Sequence, residues 1–334
     1  MAIKIGINGM GRIGRMVIRA IIENKNKNII IKHINNRSNS EVSCSLLKHD
    51  SIHGKFNANL SFDKNHLIIN KNKISFSQES KIEDINWKKH DVDYVFECTG
   101  KFNSKEKLLT HIKNGARKVI VSAPCKDADK TIVYGVNEKT IKKNDKIISA
   151  ASCTTNCLAP VTNILNNNFE IEKGFMTTIH SYTTDQRLLD NSHKDPRRAR
   201  AAALSIIPTS TGASKSLGEI IPELKGKLEG LAIRVPTPNV SLMDFVFNSK
   251  SKLSIKKIND VFIKASKKKL KNIIDTTNER LVSIDFNHNS NSAIVDLSLT
   301  NVVGDNMGKV TAWYDNEWGF ASRMCDLAEY IHKI

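Results

Sequence analysis

The sequence predicts an α/β protein of two domains: a doubly wound, mostly parallel domain over residues 1–151 and an α+β domain with a mostly antiparallel sheet over residues 152–318. Three observations support this prediction. The chain has 334 residues, about twice the length of one average domain. Apolar runs alternate with amphipathic segments through the first half, which is typical of βαβ units. In the second half, several strand patterns follow one another with few helices between them.

The first domain opens with a strand over residues 3–7, a nearly continuous apolar run of the kind that is buried on both faces of a parallel sheet. A glycine-rich turn over 9–14 and a helix over 15–23 follow. Further strands are predicted at 29–34, 67–69, 94–97, 119–122 and 147–150, with a helix at 104–114. This alternation of strands and helices is typical of a doubly wound sheet.

The second domain opens with a helix over 153–165 and a strand over 175–181. Residues 182–212 have few periodic apolar positions, so a long ordered loop is predicted, and such loops often carry function. Helices are predicted at 215–224 and 255–271, and strands at 230–236, 241–248, 293–301 and 309–315. A last helix over 319–334 is expected to pack back on the first domain.

A glycine pattern near the start of the chain indicates what the first domain binds. Gly9-x-Gly11-x-x-Gly14 follows a strand and opens a helix, which is the context of a dinucleotide-binding turn. The glycines let backbone amides approach a pyrophosphate, and the helix N-terminus adds partial positive charge. Arg12 and Ile13 lie within this turn, where the chain meets the dinucleotide. Residues 1–151 are therefore predicted to bind a dinucleotide.

The end of the second strand bears on which dinucleotide is bound. An NAD-binding domain usually has a carboxylate there, about 20 residues after the glycine turn, which binds the ribose 2′-hydroxyl. This chain has Asn36 at that position, followed by Arg37. Asn36 cannot repel a 2′-phosphate as a carboxylate would, and Arg37 can pair with one. This feature alone leaves NAD and NADP equally open.

Cys153 and His180 are the candidate catalytic pair. Cys153 begins a predicted helix, where the helix dipole lowers the pKa of a thiol and a neighbouring imidazolium lowers it further. His180 ends an apolar strand, from which it can reach Cys153 in the fold. Cys157, one helical turn further along, is expected to be a packed thiol. Cys153 and Cys157 have the spacing of two possible metal ligands, but no second Cys or His cluster lies near them in sequence, so no metal site is predicted.

The composition is that of a globular protein with excess positive charge. Lys and Arg number 51 against 34 Asp and Glu, a net charge of +17, which leaves a nucleic-acid-binding protein as one alternative. The three lysines at 267–269 fit a solvated helix face better than a nucleic-acid contact. A chain with six cysteines and no secretion-signal layout is expected to be cytoplasmic with reduced thiols. No apolar run is long enough for a membrane span.

Several segments of the chain match, in order, the motifs of one known family. Residues 151–160 read Ala-Ser-Cys-Thr-Thr-Asn-Cys-Leu-Ala-Pro, and the other matching segments are 6–15, 50–54, 180–183, 208–215, 234–241 and 313–317. Together they resemble the type I phosphorylating glyceraldehyde-3-phosphate dehydrogenases, and the first string is similar to that family's active-site signature. The resemblance extends over nearly the whole chain.

The resemblance implies an NAD(P)-dependent oxidoreductase that converts D-glyceraldehyde 3-phosphate and inorganic phosphate reversibly into 1,3-bisphosphoglycerate. It implies that Cys153 forms a hemithioacetal and then a thioester, with His180 as the general base. It assigns Thr183, Asp185 and Arg234 to the pocket for the substrate phosphate. It assigns Ser152, Thr154, Arg197, Thr211 and Gly212 to the pocket for the attacking phosphate. Ser122 and Asn316 hold the cofactor by the same resemblance, with Asn316 bonding the nicotinamide amide.

The cofactor pocket departs from NAD-specific members at three places. Asn36 replaces the acidic residue, Asn191-Ser192 replaces a Leu-Pro pair, and Ser80 replaces an arginine. Because these changes coincide in one pocket, we predict dual specificity or a preference for NADP. The resemblance also implies a homotetramer, in which the 182–212 loop brings Ser192 to the neighbouring subunit's cofactor.

Two other functions are alternatives to the one that the resemblance implies. Erythrose-4-phosphate dehydrogenase shares the Cys–His chemistry, but Thr183-x-Asp185 and the Ser-Thr-Gly-Ala string at 210–213 favour the triose phosphate enzyme. Nucleic-acid binding does not explain Cys153, His180 or the paired phosphate pockets. The predicted partners are therefore the triose phosphate and inorganic phosphate, with no membrane and no dedicated nucleic acid.

Overall fold

The computed structural model describes residues 2–334. In this part of the chain the α-helices are α1 (Arg12–Glu23), α2 (Ser40–Lys48), α3 (Lys105–Lys113), α4 (Cys153–Phe169), α5 (Ala213–Ile220), α6 (Ile255–Lys267) and α7 (Trp318–Lys333). The strands up to the start of α4 are β1 (Ile3–Asn8), β2 (Ile29–Asn35), β3 (His49–Asp50), β4 (Gly54–Lys55), β5 (Leu60–Asp63), β6 (His66–Ile69), β7 (Asn72–Ser77), β8 (Tyr94–Glu97), β9 (Lys118–Val121), β10 (Lys130–Thr131) and β11 (Ile147–Ser149). The later strands are β12 (Ile171–Ser181), β13 (Ile207–Ser210), β14 (Leu228–Val235), β15 (Ser241–Ser249), β16 (Ile274–Thr277), β17 (Ala293–Asp296), β18 (Asn301–Val303) and β19 (Met307–Tyr314).

These elements form two compact units. One comprises the chain up to residue 134 together with 138–152 and 320–334, and the other comprises 135–137 and 153–319. Most of α7 belongs to the first unit, where Glu329 accepts hydrogen bonds from the side-chain amides of Asn26 and Asn28 at 2.7 and 2.8 Å. No helix within residues 2–334 is long and apolar enough to cross a membrane.

The first unit is built on a nine-stranded sheet in the order β10-β11-β9-β8-β1-β2-β7-β6-β5. Every pair from β10 to β7 is parallel, while β6 pairs antiparallel with both β7 and β5 at one edge. The central strand β1 is buried along nearly its whole length, which explains its apolar sequence. A side chain at Gly6 would lie 2.5 Å from the Trp87 ring, so that position needs glycine. The predicted doubly wound, mostly parallel fold is confirmed.

The second unit is built on a sheet in the order β13-β14-β12-β15-β19-β17-β16, with β18 paired to β19. Most neighbours are antiparallel, but β12 with β14 and β16 with β17 are parallel. The sheet is therefore mixed, and the predicted α+β class is confirmed. Along β15 fully and partly buried residues alternate, as expected when one face packs on the core.

The segment 182–212 differs from the predicted unbroken loop. Residues 207–210 form β13, which pairs antiparallel with β14 and places Ile207 opposite Arg234. Ile207 and Thr209 are buried while Pro208 and Ser210 are exposed, a period-two pattern too short to read from the sequence. This pairing ties the end of the loop to the strand that carries Arg234.

Several predicted bounds also differ. α4 continues to Phe169 rather than 165, and α6 ends at Lys267 rather than 271. The strand predicted at 293–301 ends at Asp296, whose carboxylate accepts the Ser298 backbone N–H at 3.2 Å and caps a short 3-10 turn. Helix α2, which the sequence reading missed, is capped by the Asn39 side chain accepting from the Val42 N–H at 2.8 Å.

Candidate active site

Cys153 and His180 face each other within the second unit. Cys153 is the first residue of α4 and is half-buried, while His180 lies near the end of β12 and is 2% exposed. The Sγ atom lies 3.5 Å from Nε2 of the imidazole, which is within reach for transfer of a thiol proton. Ala151, two residues earlier, has a φ of 59°, a strained conformation of the kind found at functional sites.

Burial controls the charge states of this pair. It lowers the pKa of His180 to about 3, and the positive charge of Arg234 acts in the same direction. Burial also raises the pKa of the Cys153 thiol, although Arg234 and hydrogen bonding from Thr154 oppose that rise. The sequence predicted a lowered thiol pKa from the helix dipole and an imidazolium, whereas in the structure burial outweighs Arg234 and the hydrogen bonds at the helix start and raises the pKa of the thiol. The resting pair is a thiol beside a neutral base.

The contacts of Nδ1, the second ring nitrogen of His180, determine the orientation and tautomer of the imidazole. Nδ1 lies 2.7 Å from the Ser181 carbonyl oxygen and 2.6 Å from Nη1 of Arg234, and the same Nη1 donates to that carbonyl at 3.0 Å. When Nδ1–H donates to the carbonyl, Nε2 carries the lone pair that faces Cys153. Arg234 therefore touches both the histidine and its acceptor.

A buried hydroxyl cluster lies beside the pair. The Tyr314 hydroxyl lies 3.0 Å from Thr154 Oγ1 and 2.8 Å from Thr178 Oγ1, and its ring packs edge-on to His180 at 5.9 Å. Burial strongly raises the pKa of Tyr314, so it stays a neutral phenol. The sequence reading gave neither Tyr314 nor Thr178 a role, because only the pairing of β12, β15 and β19 brings them beside α4.

Arg198 contacts one of the residues predicted for the substrate-phosphate pocket. The Asp185 carboxylate accepts from Arg198 Nη1 at 2.6 Å, while Arg198 Nε donates to Thr209 Oγ1 at 2.6 Å. Burial alone would raise the pKa of Asp185, but Arg198 outweighs it and the pKa is lowered. The Thr183 hydroxyl donates to Gln186 Oε1 at 3.1 Å. Arg197, which was predicted for the attacking-phosphate pocket, is exposed.

Arg198, which was given no role from the sequence, is thus the arginine that the fold brings to Asp185 and Thr209. Within the run Arg197-Arg198-Ala199-Arg200 the sequence contains no signal that distinguishes the neighbours. Their directions depend on the turn at Asp195, whose carboxylate accepts the Arg197 backbone N–H at 2.9 Å.

The other predicted phosphate residues lie at helix starts. Thr154 is in the first turn of α4, and Ser152, half-buried, directly precedes Cys153. Thr211 and Gly212 precede α5, where the Thr211 hydroxyl accepts the Ala213 backbone N–H at 3.2 Å. Helix N-termini and hydroxyls are suited to anions. Within the described residues, the buried Nε of Arg234 has no hydrogen-bond partner, which leaves a donor for an anionic ligand.

Asn316 is held so that its amide donors are available. Its Oδ1 accepts from Ser181 Oγ at 2.9 Å and from Ser241 Oγ at 3.0 Å, and the residue is 6% exposed. With the carbonyl engaged by two serines, the NH₂ group is left to donate, as recognition of a carboxamide oxygen requires. Ser241, from β15, is a positioning residue that the sequence reading missed.

The glycine turn of the first unit has the geometry of a dinucleotide site. Gly9 has a φ of 96°, and a Cβ at Gly14 would collide with the Gly9 carbonyl oxygen, so both positions need glycine. Gly11, the N-cap of α1, would have open space at its Cβ position, which permits close approach of a ligand. Ile13 is half-buried, and the Arg12 guanidinium binds both carboxylate oxygens of Asp50. Because Asp50 already engages the Arg12 guanidinium, the backbone of Arg12 rather than its charge is the group available to a dinucleotide.

A cleft of about 210 Å³ lies beside this turn, and its lining includes Gly9, Gly11, Asn36, Arg37, Ser80, Lys81 and Lys101. Asn36 Oδ1 accepts the Met10 backbone N–H at 3.2 Å, and its Nδ2 donates to Ser43 Oγ at 3.0 Å. Arg37 is exposed. Three cationic side chains thus surround the neutral Asn36, with Glu79 as the only acid lining this described cleft.

The remaining predicted cofactor residues are not among the residues that line this cleft. Ser122, after β9, donates its hydroxyl to the Glu97 carbonyl oxygen at 2.9 Å. Ser192 is exposed on the 182–212 loop, and its carbonyl oxygen accepts from Arg187 Nη2 at 2.8 Å. Within residues 2–334, no group of three His, Cys, Asp or Glu side chains is arranged to hold a metal ion.

Comparison with known proteins decides the family. The sequence model of the glyceraldehyde 3-phosphate dehydrogenase NAD binding domain matches residues 3–105, and that of the C-terminal domain of the same enzyme matches 152–316. The chain belongs to the glyceraldehyde-3-phosphate dehydrogenase family. It is 47% identical to the Cereibacter sphaeroides glyceraldehyde-3-phosphate dehydrogenase over the whole of both chains. It is 49% identical to that of Priestia megaterium and 48% identical to that of Geobacillus stearothermophilus, each over 99% of this chain and 98% of the relative.

Membership in this family confirms the resemblance inferred from the motifs. The matched residues contain the glycine turn, Cys153, His180 and Asn316, so the geometry described above lies within the family's two domains. The relatives named here are glyceraldehyde-3-phosphate dehydrogenases, which favours neither the erythrose-4-phosphate enzyme nor a nucleic-acid-binding protein.

Proposed function

We propose that this chain catalyses the reversible oxidative phosphorylation of D-glyceraldehyde 3-phosphate to 1,3-bisphosphoglycerate, with reduction of NAD or NADP. The observation that supports this most directly is the 3.5 Å contact between the Cys153 thiol and a neutral His180, in a chain of the glyceraldehyde-3-phosphate dehydrogenase family. A half-buried thiol beside a neutral imidazole can deliver its proton at the moment the sulfur attacks an aldehyde.

Cys153 and His180 perform the first half of the reaction. As the Sγ–carbon bond forms, the thiol proton moves to Nε2 and from there to the aldehyde oxygen, which becomes the hydroxyl of a hemithioacetal and leaves the imidazole neutral. His180 then accepts that hydroxyl proton while the carbon loses a hydride, which leaves a thioester on Cys153. The Ser181 carbonyl oxygen, which accepts from Nδ1–H at 2.7 Å, holds the ring in place through both protonation changes. The charge of Arg234 keeps the pKa of His180 low, so the ring returns its proton readily.

The residues of the first unit fit a nicotinamide dinucleotide. The turn at Gly9–Gly14 can cradle a pyrophosphate only because Gly11 leaves open space and Gly14 lies against the Gly9 carbonyl. When bound, the cofactor accepts the hydride. Ser122 and Arg12 are proposed to contact it through hydroxyl and backbone groups, and Asn316 to donate its NH₂ group to the carboxamide.

Inorganic phosphate completes the reaction by attacking the thioester carbon and releasing Cys153 as the leaving thiolate. We propose that Thr183, Asp185, Arg198 and Arg234 hold the phosphate of the triose. Ser152, Thr154, Thr211 and Gly212 hold the attacking phosphate near the starts of α4 and α5. The contact between Arg198 and Asp185 supports adding Arg198 to the residues that hold the triose phosphate, and Arg197 stays a prediction for the attacking-phosphate pocket.

For the cofactor we propose dual specificity or a preference for NADP. Support comes from the cleft beside the glycine turn, where Asn36 is neutral and its two polar atoms are both engaged inside the protein. Arg37, Lys81 and Lys101 give this cleft the cationic character that a 2′-phosphate requires. The test is a comparison of kcat/KM for NAD and NADP, with saturating glyceraldehyde 3-phosphate and phosphate. A ratio that favours NAD by a hundredfold or more would overturn the proposal.

A homotetramer is proposed for the assembled enzyme. The 182–212 loop exposes Leu188, Leu189, Leu204 and Ile206 at 82, 73, 83 and 69%. An isolated protein rarely leaves four large apolar side chains this open on one segment, so a neighbouring subunit is expected to cover them. Ser192, on the same loop, would then reach a neighbour's cofactor. Analytical ultracentrifugation tests the assembly, and Leu204→Asp is expected to dissociate it.

We also propose that 1–151 with helix 319–334 forms the cofactor-binding domain, 152–318 the catalytic domain, and that the enzyme works in the cytoplasm. Six unpaired cysteines among the described residues suit a reducing compartment. The alternatives are tested in the same kinetics: erythrose 4-phosphate as the better substrate would favour the sister enzyme. A nucleic-acid function predicts binding that falls steeply with salt.

A further inference from the structure

A groove in the second unit lies between α4 and α6, on residues that the proposed reaction does not use. Its volume is about 390 Å³, which is in the size range of small-molecule sites. Four apolar residues line it: Ile164, Val261, Ala265 and Leu270. Ile164 and Leu270 are 7% and 4% exposed, so these two belong to the packed core, while Val261 and Ala265 are half-buried.

The edge of the groove is cationic. Lys264, Lys268 and Lys269 line it and are exposed. The one acid of the lining, Asp260, already pairs with Lys256 at 2.6 Å. Within residues 2–334, no carboxylate pairs with the three lining lysines, so three ammonium groups surround an apolar cavity without local compensation.

The wall formed by α4 is fixed by its own asparagines. The Asn167 side-chain amide donates to Asn163 Oδ1 at 3.1 Å, and the Asn168 amide donates to the Ile164 carbonyl oxygen at 2.7 Å. These contacts run along one helix and hold its side chains in place. Side chains that are already held in this way lose less entropy when a ligand binds.

We propose that this groove binds an amphipathic organic anion: a small molecule with an apolar body and a carboxylate, sulfonate or phosphate head. The apolar lining favours the body, since removing apolar surface from water drives binding. The positive charge of the lysines attracts the negative head, so the groove should bind an anionic ligand more tightly than a neutral one with the same apolar body. Lysines near the end of α6 also complement its dipole, but that role requires no cavity.

The probe for this site is anilinonaphthalene sulfonate, whose fluorescence rises in an apolar environment, titrated into the full-length protein with NAD and NADP saturating. Lys264→Glu with Lys268→Glu is expected to weaken binding by about tenfold or more, because two attractive charges become repulsive. The matched control is Lys267→Glu, an exposed neighbour that does not line the groove, which is expected to change the affinity less than about twofold.

Two further measurements separate the groove from other sources of signal. N-phenylnaphthylamine, the same apolar body without the sulfonate, is expected to bind parent and charge-reversed proteins alike. Ala265→Trp fills the groove and is expected to abolish binding of both probes, while kcat for glyceraldehyde 3-phosphate is unchanged. If the glutamate pair unfolds the protein, Lys264→Gln with Lys268→Gln replaces it.

The proposal is overturned by any of four results. These are unchanged affinity in the charge-reversed protein, an equal loss in Lys267→Glu, no probe binding while NAD or NADP is saturating, and a change of oligomeric state in the charge-reversed protein. The last result would make the groove a contact between copies of this chain. None of the four depends on which cofactor or aldehyde the enzyme uses, so failure here leaves the proposed function standing.

Discussion

Replacing Asn36 by Asp is expected to turn the cofactor preference toward NAD. The fold should accept the change, because one carboxylate oxygen can keep the Met10 N–H and the other can accept from the Ser43 hydroxyl. The new charge sits in the cleft that also contains Arg37, Lys81 and Lys101, so it weakens their attraction for a 2′-phosphate. NAD has no such phosphate and gains a carboxylate acceptor for its ribose hydroxyl.

Coulomb's law sets the size of the effect. Two unit charges about 5 Å apart repel by about 0.8 kcal/mol in water and about 3 kcal/mol at the effective dielectric of a protein surface. A cleft open to solvent lies between these limits, so the ratio of kcat/KM for NADP to that for NAD should fall by about 10-fold to 100-fold. The assay is steady-state reduction of each cofactor with saturating glyceraldehyde 3-phosphate and phosphate.

Asn72→Asp is the matched control, because it adds the same charge at an exposed position of the first unit that does not line the cleft. It is expected to leave the ratio unchanged. Equal ratios for parent and Asn36→Asp would refute the reasoning, since the cleft would then not discriminate at Asn36. An equal fall in Asn72→Asp would refute it as well, because the effect would come from overall charge.

Three further outcomes follow from the site geometry. His180→Asn should lower kcat by about 10²-fold to 10⁴-fold with the thermal midpoint nearly unchanged, since it removes the base 3.5 Å from Sγ; near-normal kcat contradicts that role. Tyr314→Phe leaves the buried hydroxyls of Thr154 and Thr178 without their partner and should cost about 1–3 kcal/mol of unfolding free energy in urea; no shift of the midpoint would show that they re-pair. Arg234→Leu removes the charge that holds down the pKa of the Cys153 thiol, so the pH profile of alkylation by iodoacetamide should move to higher pH; a move to lower pH contradicts the sign.

The sequence predicted the fold class well because its strongest signals are local. The apolar run of β1 and the glycine turn before α1 depend on neighbours in sequence, and both are where they were predicted. The predicted ends of helices and strands were wrong where a distant strand or a capping side chain determines where the element begins or ends. β13 forms because residues 207–210 pair with β14. β17 ends at Asp296, whose side chain caps the next turn.

The candidate site was predictable in its residue types but not in its electrostatics. Cys153 and His180 could be paired from the motif, yet the raised pKa of the thiol depends on burial, which the sequence does not encode locally. The place of Arg198 beside Asp185 depends on the path of a long loop. The hydroxyl of Tyr314 reaches Thr154 only through the pairing of distant strands.

The measurement that tests the central claim most directly is a single turnover without phosphate. Glyceraldehyde 3-phosphate and oxidised cofactor are mixed with the enzyme, and reduced cofactor and the mass of the Cys153 peptide are followed together. The proposed mechanism predicts a burst of one reduced cofactor per chain, an acyl group on Cys153, and steady turnover only after phosphate is added. Reduced cofactor formed without an acyl group on Cys153, or an equal burst in Cys153→Ser, would contradict it.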